Sequence, residues 1–286
     1  MTLAEVLRDA ASRLQAAGIE EARLEAEVLL CHAAGLRREE LFARLREALP
    51  EHAGCSFHEL LERRLAHEPT AYIVGHREFY GLELACTAAT LIPRPETELL
   101  VETALDWLAS RPVTRGPRPT VADVGAGNGA ISVALAVHAP GACIVAIDPS
   151  RRALQLARRN ARMHGVTSQV AFVQGELLAP ARSAFDLIVA NLPYVSTRLY
   201  EKLPPEIREH EPALALHAGP RGTALIETLL RQSRGMLRLG GLLLAEHAWN
   251  QGRRLREAAS AAFPAAGIET RRDLAGRERM LVVRTN

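Results

Sequence analysis

From Thr120 onward the chain alternates short apolar runs with stretches of helical periodicity, and this alternation restricts the fold more than any other feature. Strands are predicted at 120–125, 143–148, 169–174, 185–190 and 241–246. Helices fall between them at about 128–138, 150–164, 222–238 and 250–262, and two further strands near 267–272 and 279–284 close the chain. Strands separated by helices and short loops pair in parallel. The prediction is therefore an α/β fold with a doubly wound, mostly parallel, Rossmann-like sheet. Ligands of such sheets bind beyond the carboxyl ends of the strands, where the strand order reverses.

The residues before this region read differently. Leu3, Val6, Leu7, Ala10 and Leu14 repeat at helical spacing, and the pattern continues through Leu65, with breaks near Gly18, Gly35 and Pro50. Residues 1–70 are predicted to form a small helical bundle. Residues 71–92 are predicted to be a β-hairpin connector, with Tyr72–Gly75 and Phe79–Leu84 as its strands, and residues 93–286 the α/β domain. Thr97 is placed to cap a helix over 98–109, and the Pro/Arg/Gly-rich stretch 110–119 reads as a loop.

Net charge is +2 overall, which gives no strong field for nucleic acid or an anionic membrane. Residues 1–80 carry ten Arg against fourteen Asp and Glu. The four cysteines are scattered, with no metal-binding spacing, and no apolar run approaches the roughly 18 residues of a membrane span. A cytoplasmic, metal-free monomer is expected.

Two strand ends carry the chemistry. After the first predicted α/β strand comes Asp123-Val124-Gly125-Ala126-Gly127-Asn128-Gly129, a glycine-rich turn that lets backbone approach a ligand closely. Asp148 follows at the next strand end, where a carboxylate accepts hydrogen bonds from ribose hydroxyls. These features alone fit a dinucleotide as well as S-adenosylmethionine. Asp123 favours the latter: a carboxylate there could face a cationic amino-acid end but would repel a pyrophosphate. The strand Phe185–Ala190 then ends in Asn191-Leu192-Pro193-Tyr194, which places an amide, a fixed carbonyl and an aromatic face together. That set can grip a planar –NH2 group. With the glycine turn it points to methyl transfer onto nitrogen.

Several blocks resemble the release factor glutamine methyltransferases, the HemK/PrmC family. They are Glu68–Ile73, Arg77–Gly81, Leu91-Ile92-Pro93-Arg94-Pro95-Glu96-Thr97-Glu98, Asp123–Gly129, Phe185–Tyr194, Glu211–Leu214 and Gly240–Glu246. The resemblance is close over roughly 60–286. It implies a class I methyltransferase fold and S-adenosyl-L-methionine held by Asp123, Gly125–Gly129, Asp148, Glu176, Leu177 and Asn191. It also implies Asn191, Leu192, Pro193 and Tyr194 as the catalytic and substrate-binding set, and peptide chain release factors as the protein partner, methylated on the glutamine of their Gly-Gly-Gln motif. Three positions depart from the family pattern. Leu192 stands where proline is usual, Glu176 where aspartate is usual, and His247–Gln251 match only in part. An adenine amino-methyltransferase acting on RNA or DNA is the alternative, because an adenine –NH2 presents the same two donors. The acidic helical region and the Arg94–Glu98 segment speak against it.

Overall fold

Local sequence signals set the ends of the helices in the first compact unit, which comprises Met1–His76 and Pro204–His210. The structure, a computed structural model, describes residues 1–111 and 118–286. Most of the stretch read as a Pro/Arg/Gly loop therefore lies outside the described residues. Helix α1 (Leu3–Ala16) starts in a capping box: Glu5 N–H donates to Thr2 Oγ1 and Thr2 N–H to Glu5 Oε2. Helices α2 (Ala22–Ala34), α3 (Arg38–Ala43) and α4 (Glu51–Leu65) follow, and Gly35 ends α2 in the left-handed conformation. Leu7, Leu14, Leu29, Leu30 and Leu41 are fully buried among them.

The segment Tyr72–Val74, predicted as a strand, lies instead in a helical turn, α5 (Thr70–Val74). Pro69 starts this turn with a preset φ, and Gly75, at φ 85, stops it. The two breakers fix both ends of a single helical turn there, which overrides the strand-like composition of Tyr72–Val74. Within the same unit Arg64, almost fully buried, donates from Nη2 to Glu206 Oε2 at 2.7 Å and from Nε to Glu25 Oε2 at 3.2 Å. Glu206 belongs to α10 (Pro205–His210), a segment far away in sequence that the helical periodicity of residues 1–70 could not indicate.

The second unit opens at Arg77 with the hairpin β1 (His76–Phe79) and β2 (Leu82–Ala85), followed by α6 (Glu98–Ser110). Strands and helices then alternate: β3 (Thr120–Val124), α7 (Ala130–His138), β4 (Cys143–Asp148), α8 (Arg151–Met163), β5 (Val170–Gln174) and β6 (Phe185–Ala190). After the short α9 (Thr197–Tyr200) come α11 (Ala224–Ser233), β7 (Leu237–Glu246), α12 (Gly252–Ala262), β8 (Gly267–Arg272) and β9 (Glu278–Arg284). The seven-stranded sheet has the order β5-β4-β3-β6-β7-β9-β8. The pairs from β5 to β7 are parallel, and β9 runs antiparallel to both β7 and β8. This is the predicted mostly parallel, doubly wound fold. β7 starts earlier than predicted and the preceding helix ends sooner, because Leu237 already pairs with Phe185.

Apolar clusters cover both faces of the sheet. Val121, Leu135, Ile144 and Leu187 belong to one cluster, and Val124, Ile188, Leu229, Leu243 and Leu281 to the other. One polar side chain ties the hairpin to the sheet layer. Asn160 of α8, fully buried, accepts from Ala85 N–H at 2.8 Å and donates to the Asn128 carbonyl at 2.9 Å and the Ala85 carbonyl at 3.2 Å. Asn160→Ala removes a hydrogen-bond partner from three backbone groups, of which the Ala85 carbonyl keeps a long contact from Asn128 Nδ2. It is expected to cost roughly 2–4 kcal/mol, read as a lower urea midpoint with an unchanged slope.

Candidate active site

The carboxyl ends of β5, β4, β3, β6 and β7 stand side by side, so residues far apart in sequence meet along one edge of the sheet. A cavity of about 580 Å³ opens there. Its volume lies within the range of about 300–1,000 Å³ usual for small-molecule sites. Glu176 and Leu177 follow β5, Asp148 ends β4, Gly125–Asn128 follow β3 and Asn191–Pro193 follow β6; all of them line the cavity. The loop Ala88–Arg94, Thr97, Arg152 and Leu214 complete parts of its wall.

The glycine turn works through backbone geometry. Gly127 sits at φ 57, and a side chain there would point into open space. Its N–H donates to Asp148 Oδ2 at 2.9 Å, while Ser150 N–H donates to Asp148 Oδ1 at 2.8 Å. Burial raises the Asp148 pKa, and the two backbone donors oppose that rise. The result is a braced carboxylate on the cavity wall with lone pairs to spare, suited to a ligand's diol. Gly125 faces the next strand instead: an added Cβ would come within 2.9 Å of Leu192 Cδ2. Gly129 serves helix packing, since a Cβ there would lie 3.0 Å from Ala157 Cβ. Leu177 adopts φ 49, a conformation that is costly for a leucine, at a buried position on the cavity wall.

Asp123 differs from expectation. It is fully buried and is not among the residues lining the cavity. Its Oδ2 accepts from Ser132 N–H at 3.0 Å and from the Ser132 hydroxyl, so it pins the start of α7 beneath the turn. A carboxylate at the last inward position of a central strand finds its donors in the following helix before it can reach the cavity.

Asn191–Tyr194 is held from behind. Asn191 Nδ2 donates to Thr97 Oγ1 at 2.9 Å, and Thr97 Oγ1 donates to Glu246 Oε2 at 2.7 Å. The Tyr194 hydroxyl donates to Glu246 Oε1 at 2.8 Å. Tyr194 is thus anchored through its hydroxyl and does not line the cavity. Its carbonyl accepts from Gln251 Nε2 at 2.9 Å, and a Cβ on Gly222 would sit 2.2 Å from that carbonyl oxygen. Burial raises the pKa of Glu246, while the two hydroxyl donors and the nearby Arg279 charge act to lower it. Thr97 stands at the N-cap position of α6 as predicted, but its hydroxyl makes no capping bond: it is committed to Glu246. Among the described residues no donor reaches Asn191 Oδ1 or the Leu192 carbonyl. Both residues line the cavity.

Sequence reasoning assigns Glu246 and Thr97 no role in the site, although both sit in blocks singled out there. The signal for Glu246 is its place at the end of the strand beside β6. Glu211 has a similar structural duty. It accepts from Ile92 N–H at 3.1 Å and pairs with Arg94, fixing the loop at the cavity wall.

Family models match two parts of the chain, the PrmC N-terminal domain over residues 5–75 and the methyltransferase small domain over residues 97–203. A release factor glutamine methyltransferase of Moorella thermoacetica is 42% identical over 280 residues, covering 98% of this chain and 97% of that protein. One from Nitratidesulfovibrio vulgaris is 40% identical, covering 100% and 96%, and one from Deinococcus radiodurans is 38% identical, covering 99% of both. Among solved structures, the hMettl16 catalytic domain in complex with an RNA hairpin shares the fold, with a TM-score of 0.59 and 15% identity over 76% of this chain and 81% of that one.

Burial raises the Asp123 pKa from 3.8 to about 6. The folded state then holds this proton more tightly than the unfolded chain. Its contribution to stability is therefore fully present below about pH 4 and is lost as the pH rises through about 6. Asp123→Asn is expected to flatten this part of the stability profile while keeping an acceptor for Ser132. Urea unfolding at pH 4, 5, 6 and 7 checks it.

Proposed function

The chain belongs to the release factor glutamine methyltransferase family, and from that premise we propose that it transfers a methyl group from S-adenosyl-L-methionine to the side-chain amide nitrogen of the glutamine in the Gly-Gly-Gln motif of peptide chain release factors. One observation supports the chemistry: Asn191 and Leu192 follow β6 and line the cavity, and among the described residues no donor reaches Asn191 Oδ1 or the Leu192 carbonyl.

The cavity fits the cofactor. Asp148 would accept from its ribose hydroxyls, the open backbone at Gly127 allows close approach, and Leu177 offers an apolar contact beside Glu176. Bound there, the cofactor supplies an electrophilic methyl on a sulfonium. The chain's own residues must make a poor nucleophile ready. An amide nitrogen shares its lone pair with its carbonyl. Two acceptors on its two N–H bonds fix its orientation and grow stronger as the nitrogen becomes acidic in the transition state. Asn191 Oδ1 and the Leu192 carbonyl supply them. Pro193 stiffens the turn, and Tyr194 holds it through Glu246. No separate strong base is needed.

The helical region over residues 1–70 is the proposed substrate-recognition domain, with 71–92 as connector and 93–286 as the methyltransferase domain. The release factor is the protein partner, nucleic acid is not bound directly, and the enzyme acts in the cytoplasm as a monomer. Among the described residues no helix is long and apolar enough to cross a membrane.

Labelled methyl donor offered to purified release factor, and separately to ribosomal RNA, tests the substrate; label on RNA alone overturns the reading. Asp148→Ala is expected to weaken cofactor binding by roughly 1.5–3 kcal/mol, the worth of a charge-assisted hydrogen bond. Calorimetry measures this, and NAD should give no heat. Asn191→Ala is expected to lower the single-turnover rate by about 10²–10³, as when one preorganised polar group is removed. Cofactor affinity should change far less.

A further inference from the structure

Asn191 can serve only if its amide is the right way round. An asparagine side chain presents an oxygen on one side and an NH2 on the other, and the two orientations have nearly the same shape. With the NH2 turned to the cavity, donor would meet donor and a substrate amide would be repelled. Something must break this near-symmetry.

Building on the proposed function, we infer that Glu246, acting through Thr97, is the positioning residue that fixes the orientation of the Asn191 amide. In both of its hydroxyl contacts Glu246 is the acceptor. Each of its oxygens takes one hydroxyl hydrogen, one from Thr97 and one from Tyr194. Thr97 has a single hydrogen, and it is spent on Glu246. The Thr97 oxygen is then left with lone pairs alone toward Asn191, so only the Asn191 NH2 can meet it. The Asn191 oxygen is turned to the cavity as a consequence. The relay runs in one direction, set at its buried end by a carboxylate only 2% exposed. The same carboxylate holds Tyr194, so both ends of the tetrapeptide hang on one anchor.

Simple burial of a satisfied charge makes different predictions from a directional relay. Thr97→Val keeps the shape of the side chain and removes the hydroxyl. It is expected to lower kcat by about 10²-fold, as loss of a preorganised acceptor does, with the KM for cofactor little changed. Thr97→Ser restores the hydroxyl and should recover most of the rate. Asn191→Asp should be as slow as Asn191→Ala, because an acidic oxygen meets the Thr97 lone pairs. Glu246→Gln reverses the anchor, since the introduced amide can donate to Thr97. The Thr97 hydroxyl is then free to donate to a carboxylate at 191. Glu246→Gln alone should slow the enzyme, yet combined with Asn191→Asp it should run at least about tenfold faster than Asn191→Asp alone.

Removing one of two nearby negative charges could also give such a rescue, so the decisive arm repeats the pair with Thr97→Val present. The relay requires the rescue to vanish there, and a rescue that persists overturns it. Wild-type rates in both Thr97→Val and Glu246→Gln also overturn it. Thermal melting and cofactor calorimetry establish that each variant is folded, and the Thr97 pair decides should Glu246→Gln fail to fold. Side-chain hydrogen exchange of the Asn191 NH2, measured without substrate, separates this proposal from the functional reading. Protection in the wild type that falls at least about tenfold in Thr97→Val supports the relay even if no release factor is methylated. Exchange that Thr97→Val leaves unchanged sinks the relay even if methylation proceeds.

Discussion

The reversal of strand order between β3 and β6 is the constraint on which the rest depends. β4 pairs with one edge of β3 and β6 with the other, so the chain leaves neighbouring strand ends in opposite directions. No crossover covers the gap between them. The glycine turn after β3 and the tetrapeptide after β6 therefore face each other across an opening the sheet itself cannot fill. Register makes the approach close: Val124 lies beside Ala190, and Ala190 beside Ala245. Three adjacent strands end within one residue of level, with Glu246 extending β7 one residue further.

The polar groups behind this opening are costly unless each is paired. Asp123, Asp148 and Glu246 all have burial as the main cause of a raised pKa. They meet it differently. Asp148 uses backbone N–H groups and keeps a face on the cavity. Asp123 uses one serine on Oδ2, stays beneath, and has no partner on Oδ1 among the described residues. Glu246 uses two hydroxyls from segments almost 150 and about 50 residues away in sequence, which makes it a junction between the α6 entry and the β6 exit. A fully satisfied junction of this kind specifies one geometry for the loops it joins.

Most of the architecture was legible because it rests on period. The α/β alternation, the parallel sheet and the clustering of Gly125–Asn128, Asp148, Glu176, Leu177 and Asn191–Pro193 at strand ends follow from apolar spacing and turn residues. The departures lie where another residue outweighed the signal that was read, twice a distant partner and once a pair of flanking breakers. Thr97 has the chemistry of a helix cap, but Glu246 claims its hydroxyl. Tyr72–Val74 has the composition of a strand, but Pro69 and Gly75 confine it to one helical turn. Asp123 has the charge to meet a cation, but Ser132 lies nearer. Glu246 lies 149 residues from Thr97 and Ser132 nine from Asp123, so no local pattern revealed those two partners, whereas Pro69 and Gly75 flank their segment and were legible as breakers.

Leu192 shows how a departure from a motif can leave its chemistry whole. Its side chain is 4% exposed, packs in the apolar cluster on one face of the sheet and abuts the place where a Gly125 side chain would project. Its carbonyl, in contrast, has no donor among the described residues. The side chain secures the glycine turn and the backbone serves the cavity. Proline at that position would stiffen the same carbonyl through its ring; leucine steadies it by packing, with Pro193 restricting the backbone from the other side. Two different physical means thus hold one carbonyl in place, and under the proposed function the substrate nitrogen would meet only that carbonyl.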